Sequence, residues 1–243
     1  MRLLALAPLV LLAACSGSGP TLTAEDPTPT PVATTDAPSP TAQPTTPAPT
    51  PTAIVTTAAP TPTKAVPAAP GDIDGDGEAD AVKATATLVR VTLSGSGKVV
   101  TAPVHAESPA APEVLGTADV DLDGRAELFL KTVQGASTSF ATPYRYDGKV
   151  LREIQLDSSP AVLGFGGSTQ HGDGFTCTPK GLIEVRQAVA NGGGSTYTVT
   201  TTTYRLTATD LVKVRSTSTR AAQGSAEVEA AYALDCGAVG EGG

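Results

Sequence analysis

The chain of 243 residues sets 24 acidic against 16 basic side chains, a formal net charge of −8 at pH 7. Without a basic excess or cluster to release counterions, it is not expected to bind a nucleic-acid backbone. The absence of tryptophan and an aromatic content of 4% also weigh against stacking on sugars.

Met1-Arg2 and the apolar run 3–12 are too short to cross a bilayer and read as an export signal over residues 1–14. Leu12-Ala13-Ala14-Cys15 resembles the lipobox of bacterial lipoproteins. The resemblance implies cleavage before Cys15, a diacylglyceryl thioether on Cys15, and a spacer over residues 15–19. The expected location is the outer face of the cell membrane, with the membrane reached through that lipid. Residues 20–70, dominated by Thr, Pro and Ala, bury too little apolar surface to offset the entropy of ordering. They are read as a disordered linker whose reach, if extended as polyproline II, is on the order of 150 Å.

The chemistry is concentrated in the part that follows, 71–243. Asp72-Ile73-Asp74-Gly75-Asp76-Gly77-Glu78-Ala79-Asp80 recurs, 47 residues on, as Asp119-Val120-Asp121-Leu122-Asp123-Gly124-Arg125-Ala126-Glu127. Carboxylates at positions 1, 3 and 5 can converge on one hard cation, Gly at position 6 permits a sharp turn, and position 7 offers a backbone carbonyl. Position 9 adds Asp80 or Glu127. An EF-hand would need a Glu at position 12 and an entering helix, but position 12 is Lys83 or Leu130, and Pro67 and Pro70 precede the first loop. Metal-free Asx turns are the other alternative, since Asp and Gly form turns readily. Mutual repulsion of four or more carboxylates within nine residues favours a divalent ion, and loop flexibility favours Ca2+ over Mg2+.

An Asp-x-Asp-x-Asp-Gly-x-x-Asp loop feeding an apolar strand resembles the calcium loops of FG-GAP and VCBS repeats, the blade units of integrin-type β-propellers. The resemblance covers 71 to about 156 with specific motifs, and the whole is also similar to small exported VCBS-repeat lipoproteins of high-GC Gram-positive bacteria. It implies two Ca2+ sites, one over Asp72, Asp74, Asp76, Glu78 and Asp80, the other over Asp119, Asp121, Asp123, Arg125 and Glu127.

After the first loop, 89–93 and 98–101 alternate around Ser94-Gly95-Ser96-Gly97 and predict a hairpin; after the second, 144–146 and 149–156 do so around Asp147-Gly148. A third hairpin is expected from 181–189 and 196–206 around Asn191-Gly-Gly-Gly194, with 211–214 returning as a further strand. Residues 226–234 are compatible with a helix or a strand, and the strand is preferred. The expected fold is all-β: successive small antiparallel sheets, in the manner of a partial or small β-propeller.

With Cys15 assigned to lipid, Cys177 and Cys236 form an even pair in an exported chain, and a disulfide between them is predicted. His171-Gly172-Asp173-Gly174-Phe175, read as a glycine-rich loop near Ser168, allows a Ser–His–Asp triad to be drawn, but such close spacing seldom gives that geometry. His105 reads as an exposed loop residue. The expected function is a cell-surface calcium-binding module with a protein or cell-wall ligand, not an enzyme; the alternative is an exported hydrolase or enzyme accessory using His171 and Asp173.

Overall fold

A computed structural model describes residues 67–107 and 112–240. The expected signal peptide, Cys15 with its spacer, and the linker up to residue 66 lie outside the described residues.

Beyond the first acidic loop, β1 (Ala81–Ala84), β2 (Leu88–Thr92) and β3 (Val99–Pro103) form a three-stranded antiparallel sheet. The alternation expected of a strand with one buried face is present: Val89 and Val91 on β2, and Val100 and Ala102 on β3, point inward. The second loop lies between β4 (Glu113–Ala118) and β5 (Glu127–Gln134), and β6 (Thr138–Tyr146) pairs with β5. Leu128 and Leu130 of β5 join the inward residues of the small sheet, whereas Phe129, on the opposite face, belongs to a second cluster. This strand is therefore buried on both faces, as its continuous apolar run 128–130 requires.

The remaining strands are β7 (Leu151–Glu153), β8 (Gln155–Leu156), β9 (Ser159–Pro160), β10 (Leu163–Gly167), β11 (His171–Thr178), β12 (Leu182–Asn191), β13 (Thr196–Thr207), β14 (Asp210–Ala222) and β15 (Leu234–Asp235). With β4, β5 and β6 they make one twelve-stranded sheet in the order β4-β5-β6-β10-β11-β12-β13-β14-β8-β9, with β7 on β6 and β15 on β11. Its pairings are antiparallel except β8 with β14 and β15 with β11. All three predicted hairpins are found, and the predicted strand at 211–214 extends to Ala222. A small separate sheet follows only the first loop. After the second, β6 pairs with β10 as well as β5, so the ladder runs on instead of breaking into blades. Neither sheet closes into a barrel or propeller. The inner faces of β4 to β14 meet around Phe129, Phe175, Leu163 and Ile183, so the large sheet wraps its own core.

Residues 226–234 are not the preferred strand. They form a short helix, α1 (Ala226–Glu229), capped by Ser225 and followed by turns leading to β15. Val228 and Ala231, three apart, bury together against Ala188, Tyr197 and Val199, a spacing that suits a helical turn and not a strand. The backbone that follows α1 lies against β11, a strand where the sequence reads as a loop over 171–175. A Cβ at Gly174 would lie 2.7 Å from the carbonyl oxygens of Ala230 and Ala233, so glycine there lets the two backbones meet. The predicted disulfide is present: Cys177 on β11 and Cys236 just after β15 are bonded, with Cα atoms 4.5 Å apart.

Candidate metal centres

The two acidic loops share one backbone plan. Positions 4 and 6 have positive φ in both: 83° at Gly75 and 92° at Gly77, then 62° at Leu122 and 90° at Gly124. Leucine is disfavoured in that left-handed region, so its presence there marks a conformation imposed by the loop. Position 1 accepts the N–H groups of positions 5 and 6: Asp72 from Asp76 (3.1 Å) and Gly77 (3.0 Å), Asp119 from Asp123 and Gly124 (3.0 Å each). Position 9 accepts from position 2, with Asp80 2.9 Å from the Ile73 nitrogen and Glu127 2.8 Å from that of Val120. Ile73 and Val120 are buried, anchoring each loop in a core cluster. The loops also touch: the Ala126 N–H donates to the Asp72 carbonyl (2.8 Å) and the Ala68 N–H to the Asp119 carboxylate (3.0 Å).

This plan gathers positions 1, 3 and 9. Asp72, Asp74 and Asp80 each present an oxygen within 4.8 Å of the others, as do Asp119, Asp121 and Glu127. Each trio can hold a metal ion, and all-oxygen carboxylate donors suit a hard cation. The other predicted residues are placed differently. Asp76 accepts from the Ser94 hydroxyl (3.0 Å) and the Gly95 N–H (2.8 Å), while Asp123 accepts from Arg145. Position 7 carries the exposed Glu78 and the half-buried Arg125, and neither side chain belongs to a trio.

Electrostatics separates the two centres. In the first, burial and the neighbouring Asp80, Asp76 and Asp72 raise the Asp74 carboxyl above the ordinary range, against the Asp76 N–H that lowers it. In the second, Arg145 of β6 places its guanidinium 2.5 Å from both Asp121 and Asp123 and 3.6 Å from Glu127. Burial opposes the charge of Arg145, but the Asp121 hydrogen bond and the surrounding carboxylates outweigh it and raise its pKa. Glu127 is fully buried, and burial, reinforced by Asp121 and Asp123, pushes its carboxyl up to about 8 despite the Val120 N–H and Arg145. Asp121 Oδ1 and Glu127 Oε1 are buried with no hydrogen-bond partner. Orphaned acceptors of this kind are costly, and a cation between them would satisfy both.

His171 Nε2 is 2.8 Å from Asp173 Oδ2, two residues along the same face of β11, and Gln187 donates to the other Asp173 oxygen (3.2 Å). Ser168 is not drawn into this pair: its hydroxyl accepts from the Gln170 N–H (3.3 Å), in the turn before β11. A Ser–His–Asp relay is therefore not assembled. His105, which the sequence marks only as an exposed loop residue, has Nδ1 2.9 Å from Glu153. Arg145 carried no sequence signal beyond its place on a strand after the second loop. Only the strand register, which sets Leu128 opposite Tyr144 and so Arg145 beside Glu127, identifies it. Comparison of the chain with protein-family models, curated proteins and solved structures gives no match.

Proposed function

We propose that this chain is an exported, lipid-anchored module in which two acidic loops bind Ca2+, related to the FG-GAP and VCBS repeats and serving as a binding or adhesion unit at the cell surface. The observation that carries the reading is the duplicated loop, which brings three carboxylates together twice with the same backbone hydrogen bonds. A metal-free turn leaves Asp121 Oδ1 and Glu127 Oε1 buried without hydrogen-bond partners, which a bound cation would supply. Calcium suits the loops better than Mg2+, which holds its waters and demands near-octahedral geometry. The ion's role is structural: it ties the entry of a strand, Asp80 or Glu127, to the loop before it. A protein or cell-wall ligand fits export and a long linker, and the Ser168 hydroxyl, which accepts from the Gln170 N–H, does not support a nucleophile beside His171 and Asp173.

The test is thermal unfolding of the full chain in millimolar Mg2+, with Ca2+ added and then removed by chelator. A ligand at about 100 times its Kd stabilises by about 2.7 kcal/mol per site. For a domain of this size that corresponds to a rise of about 5–10 °C. An unchanged melting temperature overturns the metal assignment. Labelling with a fatty-acid analogue, lost in Cys15→Ala, tests the anchor separately.

A further inference from the structure

We propose that the cleft between the end of β3 and the β5–β7 hairpins is a binding site for a small organic cation, an amine carried on a compact apolar body. The cleft has a volume of about 320 Å3, at the lower end of the range for small-molecule sites. That is room for roughly ten non-hydrogen atoms, at the volume one water occupies in the liquid. Val133, Phe140, Pro160 and Val162 supply its apolar walls.

Its polar end is built from acceptors. Glu153, only 8% exposed in its side chain, accepts from the Tyr144 hydroxyl at 3.0 Å and lies 2.9 and 3.1 Å from His105 Nδ1 through its two oxygens. Burial and Glu153 itself push the Tyr144 phenol up, so it remains a donor that holds the carboxylate in place. Glu107 adds a second carboxylate to the lining, which contains neither Lys nor Arg. Deeper in, the buried Thr132 and Thr142 hydroxyls bond to each other at 2.8 Å, one donating and one accepting. Two carboxylates and hydroxyl oxygens beside apolar walls complement an ammonium group on a hydrocarbon body; they repel a carboxylate and give a neutral alcohol no charge to meet.

Isothermal titration of the full chain, with Ca2+ present throughout, compares three probes with the same aromatic body: phenethylamine, 2-phenylethanol and 3-phenylpropionate. The amine is expected to bind at least tenfold more tightly than the acid and at least fivefold more tightly than the alcohol. Glu153→Gln should remove the advantage over the alcohol, and Val162→Trp, at the 47%-exposed rim, should weaken all three by filling the mouth. If Glu153→Gln does not fold, Glu107→Gln takes its place and is expected to halve the preference or more. Equal binding of amine and acid, no saturable binding of the amine, or amine binding untouched by Val162→Trp overturns the proposal.

Discussion

Replacing Arg145 with Gln removes the guanidinium that partly neutralises the second centre and leaves Asp121, Asp123 and Glu127 facing one another. The Arg145 side chain is 12% exposed, Asp121 18%, Asp123 34% and Glu127 fully buried. Removing one partner from a buried ion pair typically costs 3–5 kcal/mol; the partial exposure of Asp123 and the ease with which Glu127 takes a proton place this case near about 3 kcal/mol. In chelator the variant should therefore melt about 6–12 °C below the parent chain. Calcium should change that difference. The ion supplies the charge that the guanidinium gave and meets no competing cation in the variant's second centre, so it should stabilise the variant more than the parent and narrow the gap. Differential scanning calorimetry of both chains with and without Ca2+ measures all four states. Arg152→Gln serves as the control, since the exposed Arg152–Asp147 pair should contribute under about 1 kcal/mol. Two results would refute the reasoning: a variant as stable as the parent in chelator, or a deficit that Ca2+ leaves unchanged.

Asp74→Asn should weaken Ca2+ binding at the first centre about tenfold or more, whereas Asp76→Asn, whose side chain is engaged by Ser94 and Gly95, should weaken it much less; calcium titration separates them. In chelator, Glu127 binds a proton more tightly in the folded than in the unfolded chain. Its contribution is fully present below about 4.5 and is lost as pH rises through about 8, so metal-free stability should fall across that window and Glu127→Gln should flatten the profile. Gly174→Ala should cost about 1–3 kcal/mol by pressing a methyl group onto the Ala230 and Ala233 carbonyls, measured by urea unfolding. Replacing Cys177 and Cys236 together with Ser opens a link across a sequence separation of 59 residues and should destabilise by about 4 kcal/mol on the chain-entropy estimate.

The loops were legible in the sequence because their geometry is local. Each N–H that meets Asp72 or Asp119 from within its own loop lies three to five residues away, so the residue pattern already contains the fold of the loop. The hairpins were legible for the same reason, through Asp147-Gly148 and Asn191-Gly-Gly-Gly194. Arg145 was not, because its place beside Glu127 depends on the register of β5 against β6 and leaves no mark in either strand. The division into blades failed on the same point: alternation identifies which face of a strand is buried but not how many neighbours it pairs with. The error at 226–234 had a signal that pointed the other way. Gly172 and Gly174 stand two apart on one face of β11, where Gly172 admits the Tyr232 ring and Gly174 another backbone, and were taken instead as marks of a loop.

The hydrogen bond from Ala68 to Asp119 gives the second loop a mechanical position as well as an electrostatic one. Tension at Ala68 loads that bond before it reaches any strand, and so pulls on a carboxylate of the second trio. Force at Ala68 and an ion in the second trio would then act on the same carboxylate, that of Asp119.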